Sequence, residues 1–214
     1  MADHPAAPGD ALRHWPGLPL FPLQTVLFPG GLLPLRVFEA RYLDLVSRCL
    51  RSGSPFGVVC IRQGSEVRGA SATPTRFEDT AVLARLQDVD AEQPGILKVR
   101  CLGGERVRLG PAQQQDDGLW VADAEGLAGD DPAAVPAELA GSARALGQAI
   151  ASLAEQDQHP FLPPHRLDDA GWVANRWCEL LPIPLAAKQR LMVLDEPVLR
   201  LKIVDEYLRG KGVV

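Results

Sequence analysis

The stretch that decides the fold begins with Leu18-Pro-Leu-Phe-Pro-Leu23, continues through the turn-like Phe28-Pro-Gly-Gly31 and ends in the apolar segment Leu32–Val37. The first run is apolar but contains two prolines. A proline removes a hydrogen-bond donor from a strand ladder, so such a strand lies at a sheet edge or begins and ends abruptly. The run from Phe28 to Gly31 is typical of a turn, and Leu32–Val37 predicts a second strand.

The residues after this stretch change from a strand period to a helix period. From Phe38 to Leu50, apolar side chains recur at helical spacing and charged residues fill the other face, which predicts an amphipathic helix that ends at Gly53. Short β-like runs follow, over 56–61, 80–89, 96–102, 106–109 and 119–124, with a hairpin or bulge at Gly103-Gly104. This pattern predicts a small closed or strongly coiled sheet with one helix inserted early.

A change of composition divides the chain. The segment from Gly126 to Pro136 is rich in Gly, Ala, Asp and Pro, and β-branched residues become rarer after it. Helical segments are predicted beyond it over 136–156, 168–181, 185–194 and 197–208. The N-terminal residues are rich in Pro, Ala, Asp and His and predict a flexible leader. The predicted organisation is therefore a leader over 1–17, a closed-sheet unit over 18–126 and a helical unit over 136–210.

Composition and charge exclude several classes of protein. Hydrophobic residues make up 46% of the 214 residues and charged residues 23%, as in ordinary soluble proteins, which argues against a disordered or fibrous chain. The net charge of −5 is spread along the chain, whereas a general nucleic-acid binder clusters Lys and Arg. The four cysteines form no CxxC pair, which favours buried thiols over a zinc site. Without a signal peptide or a membrane-length apolar run, we expect a cytoplasmic protein.

An ordered series of segments resembles the N-terminal domain of Lon proteases. The series comprises the opening stretch with Leu33-Pro-Leu35, then Val37-Phe-Glu-Ala-Arg-Tyr42, Phe56-Gly-Val-Val59, Gly104-Glu-Arg-Val-Arg-Leu109 and Leu181-Pro-Ile-Pro-Leu-Ala-Ala-Lys-Gln-Arg-Leu-Met-Val-Leu-Asp195. The resemblance runs from about 18 to 208. It implies an α+β fold, with a PUA-like small β-barrel that has an inserted helix, followed by a C-terminal helical bundle.

The resemblance also implies a function. Lon's ATPase needs a GxxxxGK[ST] loop, which is not found after Gly103-Gly104 or at Gly210-Lys211-Gly212, and its peptidase needs a further domain. We therefore expect a stand-alone, non-catalytic module without catalytic residues, bound metal or cofactor. The expected partners are unfolded or flexible polypeptide segments, or a protein partner, and any self-association is expected to be weak.

A set of residues is predicted to support interaction or to hold the structure together. Glu39, Arg41 and Arg106 match the motif positions, and both an anchoring ion pair and direct ligand contact fit them. Trp172 and Trp177 lie roughly 140° apart on a helix, so either both are in the core or one lines a groove between barrel and bundle. Apolar residues near the prolines could form a rim beside an open strand edge. The apolar candidates are Phe21, Phe28, Leu33 and Phe161.

Two other functions stay open on the sequence. RNA or nucleotide binding by the PUA-like barrel is the alternative, although no strand has a basic face studded with aromatic residues. A small-molecule enzyme is the other, but we interpret His159 and His165 as surface residues and Cys60 as a buried thiol without a base. The acidic pairs at 130–131 and 168–169 are interpreted as linker and helix-cap residues.

Overall fold

The computed structural model describes residues 13–66 and 74–214. All the strands and helix α1 lie in the first part of the chain, and the other helices lie in the second part. The strands are β1 His14–Leu23, β2 Leu32–Val37, β3 Phe56–Gln63, β4 Arg76–Gln93, β5 Ile96–Leu109, β6 Gln113–Gln114 and β7 Trp120–Gly126. The helices are α1 Ala40–Ser52, α2 Ala140–Glu155, α3 Ala170–Leu180, α4 Leu185–Val193 and α5 Pro197–Gly210, and a 3-10 turn, Ala137–Leu139, precedes α2.

The strands form one mixed sheet whose ladders return on themselves. Their order is β2-β5-β4-β3-β1-β7-β6, and β7 also pairs with β5. The ladders among β5, β4, β3, β1 and β7 therefore make a closed circuit. Only the pairing of β1 with β3 is parallel among the ladders described. Strand β2 attaches to β5 outside the circuit, and no other strand in the described ranges pairs with its second edge.

The two faces of the circuit are packed differently. Alternate positions of its strands meet in one apolar cluster of mostly small or aliphatic side chains, because successive residues of a strand point to opposite faces. Space in this cluster is limited, since a Cβ atom on Gly57 would lie 2.9 Å from a methyl carbon of Leu20. The opposite face packs against α1 and the later helices in a second, larger core. The first cluster consists of Leu18, Leu20, Val59, Ala81, Leu83, Val107, Leu109, Ala122 and Ala124.

Helix α1 follows the predicted helix in its middle but not at its ends. Its central apolar stripe is buried, and Gly53 ends it in the left-handed conformation with φ 67°. The prediction that Phe38 and Leu50 belong to this stripe is wrong, because they are 55% and 57% exposed. Phe38 precedes the first helical residue, Ala40, and Leu50 points well to one side of the stripe in the last turn.

Several boundaries differ from those that the sequence predicts. Strand β1 begins at His14, so its first residues lie in the segment predicted as a leader, where Trp15 pairs with Ala124. Residues 1–12 of that leader lie outside the described residues. The two runs predicted over 96–102 and 106–109 form the single strand β5, with a register shift near Gly103. The predicted strand over 32–37 is confirmed.

The later helices pack around α3. Helices α2, α4 and α5 each contact it, and α4 also contacts strand β3. Asp169 caps the first turn of α3, since its side chain accepts a 2.9 Å hydrogen bond from the Trp172 amide. One apolar core contains residues of the sheet, α1 and these helices. None of the helices in the described ranges is both long and apolar enough to cross a membrane.

Candidate functional site

A groove runs along β2 at the outer edge of the sheet. Its cavity volume is about 530 Å3, and every residue of β2 lines it. Its remaining walls come from β1, the segment after β1, the residues around the start of α1, the segment after β3 and the α3–α4 region. Apolar side chains predominate, with five charged residues among them. Besides β2, the lining consists of Phe21, Leu23, Thr25, Val26, Leu27, Phe38, Glu39, Tyr42, Glu66, Glu179 and Lys188.

The hydrogen-bond phase of β2 determines which main-chain groups face outward. The Gly103 N–H donates a 2.8 Å bond to the Gly31 carbonyl, and Leu32 pairs with Leu102 in the adjoining ladder. Hydrogen-bonded pairs alternate along an antiparallel ladder, so the main-chain groups of Leu33, Leu35 and Val37 point toward β5. Those of Leu32, Pro34 and Arg36 point away from the sheet. No hydrogen bond among the described residues reaches these outward main-chain groups.

A tight turn places the start of β2 against β5. The Gly31 N–H donates to the Phe28 carbonyl at 2.9 Å, and the Gly30 N–H donates to the Gly103 carbonyl at 2.8 Å. Gly30 has φ 72°, a conformation that favours glycine. A Cβ on Gly103 would lie 2.3 Å from the Phe28 carbonyl oxygen, so only a residue without a side chain fits there.

Arg176 of α3 holds this turn from the helical side. Its guanidinium donates to the carbonyls of Pro29, at 2.8 Å, and Gly30, and it also donates to Glu179 at 2.9 Å. The same group lies 5.5 Å from the ring centre of Phe161 and 5.8 Å from that of Trp172, within cation–π range. The turn that starts β2 is therefore attached to the helices by a buried cation.

Glu179 and Lys188 form the end of the groove next to Gly31. A Cβ on Gly31 would lie within 2.0 Å of a Glu179 carboxyl oxygen, so this glycine makes room for the carboxyl group. Burial raises the pKa of Glu179 to about 7, and the nearby Arg176 and Lys188 oppose the shift. The Lys188 ammonium donates to the Glu179 main-chain carbonyl at 3.2 Å.

The other end of the groove is formed by α1. The rings of Phe21 and Tyr42 are stacked with centres 3.9 Å apart. The Arg41 guanidinium pairs with Glu39 at 2.9 Å and donates to the Gly118 carbonyl at 2.8 Å and to the Glu66 carbonyl at 3.3 Å. Burial raises the pKa of the Tyr42 hydroxyl to about 12, so it stays neutral. Arg41 therefore attaches α1 to two loops of the sheet.

A second set of buried charges lies where the sheet meets the helices, which we call the seam. Arg106 of β5 donates to the carbonyls of Met192 and Ala128. Arg200 of α5 binds both carboxyl oxygens of Asp130, at 2.6 and 2.9 Å, and Asp130 also lies 3.6 Å from Arg106. The seam is defined here as Arg106, Asp130 and Arg200.

The structure distributes the predicted residues among these places. Phe21, Leu33 and Glu39 line the groove, Arg41 lies behind it, and Phe28 is buried beneath the turn. Trp172 is partly exposed, whereas Trp177 is buried and donates through its indole N–H to the Ser142 carbonyl at 3.0 Å. Neither tryptophan lines the groove. Phe161 and Trp172 contact Arg176, and Arg106 belongs to the seam.

Several residues of the groove and of the turn beside it are not predicted by the sequence. The helical spacing predicts Phe38 on the stripe of α1, but its side chain lies exposed in the groove wall. Glu179 and Lys188 reach the groove, and Arg176 reaches the turn at its end, from elements remote in sequence, and no local pattern indicates this. Within the described ranges, no three His, Cys, Asp or Glu residues are grouped so that they could hold a metal ion.

Comparison with known proteins assigns the family. Residues 17–210 match the model of the ATP-dependent protease La (LON) substrate-binding domain. The chain belongs to this family. A Lon N-terminal domain protein from Xanthomonas campestris has a similar structure, with a TM-score of 0.69 and 33% identity over 88% of this chain and 96% of that one. The expected resemblance to Lon N-terminal domains is confirmed.

A more distant relative shares the fold. The N-terminal domain of a Lon protease from the Mycobacterium avium complex matches with a TM-score of 0.57 and 18% identity, over 90% of this chain and 98% of that one. No curated protein matches the chain. The family and the described elements establish a mixed α+β domain of the Lon substrate-binding type.

Proposed function

We propose that this chain is a non-catalytic, cytoplasmic module that binds extended polypeptide segments in the groove along β2. The observation that carries the proposal is the open edge of β2, whose outward main-chain groups at Leu32, Pro34 and Arg36 lie beside an apolar groove. Membership in a substrate-binding domain family supports it. In this proposal the closed strand circuit is the PUA-like barrel and helices α2–α5 are the bundle.

Strand addition explains how such a groove could accept different sequences. An added strand forms main-chain hydrogen bonds that do not depend on its side chains, and the groove wall contributes apolar contact. Burial of ~300 Å2 of apolar surface supplies about 7 kcal/mol at ~25 cal/mol per Å2, and the cost of association removes much of this. We therefore expect micromolar or weaker affinity for unfolded segments.

The charges of the groove support a polypeptide rather than a nucleic acid as its occupant. Three acidic residues, Glu39, Glu66 and Glu179, line it together with two cations, Arg36 and Lys188. Nucleic-acid sites instead gather cations that neutralise successive phosphates. The groove therefore gives no support to RNA or nucleotide binding.

Site-directed photo-cross-linking tests the proposal. A photoreactive amino acid replaces Phe38 in the groove wall or, as a matched control, Leu50, which is equally exposed on α1 but does not line the groove. The probe is a reduced and alkylated model protein that cannot fold, with its native disulfide-bonded form as the comparison. We expect cross-links from position 38 to the unfolded form alone.

The pattern of cross-links decides the outcome. Equal cross-linking from positions 38 and 50 would place binding elsewhere or show it to be nonspecific. Absence of cross-links from position 38, at probe concentrations where other positions react, would refute the groove as the binding site.

A further inference from the structure

Pro34 occupies the middle of the outward-facing edge of β2. Leu32 and Arg36 on either side keep their N–H donors, and all three residues keep their carbonyl acceptors, whereas Pro34 has no N–H to offer. A proline whose nitrogen faces away from its partner strand removes no hydrogen bond from the sheet. The same proline removes one donor from anything that adds to the open edge.

We infer that Pro34 is a specificity-determining residue that keeps segment binding weak and disfavours pairing between two copies of β2. The inference rests on the proposed function. In an antiparallel ladder, each hydrogen-bonded pair exchanges two bonds. A foreign segment opposite Pro34 still donates its N–H to the Pro34 carbonyl, so it forfeits one bond at this position and keeps the others.

Two copies of the same edge forfeit more than a foreign segment does. Twofold pairing centred on Pro34 places the prolines opposite each other, so that both bonds of that pair are missing. Pairing in a shifted register still brings both prolines into the ladder. Each missing bond lowers an association constant by about two- to tenfold. Edge prolines limit strand pairing between proteins in this way.

Restoring the donor provides the direct test. Pro34→Val returns an N–H to the middle of the edge and adds a side chain that favours strands. The probe is a fluorescent, amidated peptide of alternating Val and Thr, and its affinity is measured by anisotropy. We expect the peptide to bind about two- to tenfold tighter. Self-association, measured by sedimentation velocity, should increase by a larger factor because two bonds are restored.

A second pair of variants tests the same idea in the opposite direction. Arg36→Pro removes another outward donor, and Arg36→Ala serves as its comparator because it loses the charge but keeps the N–H. In the unsubstituted chain, the side chain of Arg36 is exposed and pairs with Glu92 at 3.0 Å, and both variants lose this pair. We expect peptide affinity about two- to tenfold lower for Arg36→Pro than for Arg36→Ala.

The outcomes separate this inference from the proposed function. Pro111→Val, in an exposed loop outside the groove, controls for the loss of a proline and should behave as the parent chain does. If the parent chain does not bind the peptide, the proposed function fails and this inference fails with it. If the parent binds but the changes at 34 and 36 leave affinity and self-association at the values of their comparators, this inference alone is overturned.

Discussion

The seam and the groove differ in how their polar groups are satisfied. In the seam, Arg200 and Arg106 are almost fully buried, and the carboxylate of Asp130 and several carbonyls satisfy them. Along the groove, main-chain donors and acceptors of β2 point outward beside apolar side chains without a partner among the described residues. Because the charges of the seam have hydrogen-bond partners, this network holds the sheet and the helices in one arrangement. An open edge leaves hydrogen bonds available for another chain.

The comparison predicts that changes in the seam alter stability and leave binding intact. Arg200→Ala should have the largest effect, a loss of about 3–5 kcal/mol in the free energy of unfolding, because it removes a fully buried cation and takes the two-bond partner from Asp130, whose side chain is only 21% exposed. Urea denaturation measures this. Lys202→Ala, at an exposed position of the same helix, should stay within about 0.5 kcal/mol. A small effect of Arg200→Ala would mean that the network contributes little to the seam.

The second prediction concerns Glu179, which lines the groove and pairs with Arg176. Its pKa of about 7 in the folded chain lies above the unfolded value of 4.5, so its contribution to stability is complete below pH 4.5 and is lost as pH rises through 7. Relative to the Glu179→Gln variant, the free energy of unfolding of the unsubstituted chain should fall by up to about 3 kcal/mol as the pH rises from 4.5 to 8. Urea denaturation from pH 4.5 to 8 measures the difference, and parallel pH profiles would contradict it.

How far the sequence predicts the fold depends on the range of the interactions. Strand β2, the middle of α1 and the later helices follow from local periodicity, because their side chains alternate or recur on one face. The partnership of Arg200 with Asp130 joins residues 70 positions apart, and the local sequence predicts only a linker residue at Asp130. No local pattern indicates that pairing.

The groove, too, has parts that local sequence predicts and parts that it does not. The proline-containing stretch predicts an apolar rim and an open edge, which are local properties of β1 and β2. The wall supplied by α3 and α4, with Glu179 and Lys188, depends on how the helices pack against the sheet. The predicted place of Phe38 on the helical stripe is wrong because its spacing from Tyr42 suits a helix that includes Phe38, whereas α1 starts two residues later, at Ala40. The predicted interaction roles of the individual side chains remain predictions.

The third prediction tests whether the turn at the start of β2 couples stability to binding. A Cβ at position 103 would meet the Phe28 main-chain oxygen at 2.3 Å, so Gly103→Ala must displace the turn, at a cost of about 1–3 kcal/mol. The adjacent Gly104→Ala is the matched control, because its Cβ would lie at an ordinary 3.4 Å from the nearest atom. Urea denaturation and peptide anisotropy should show losses for the first variant alone. Equal behaviour of the two would show that the turn tolerates displacement.

The smallest expected effect gives the cleanest separation of the two regions. Phe38→Asp places a charge in the groove wall. Because the Phe38 side chain is 55% exposed, the free energy of unfolding should change by no more than about 0.5 kcal/mol. Loss of apolar contact should weaken peptide binding about fivefold, equivalent to about 1 kcal/mol. Leu50→Asp introduces the same charge at a similarly exposed position on α1, away from the groove, and it should leave affinity unaltered. Equal losses of affinity from both variants would mean that net charge, rather than the groove wall, controls binding.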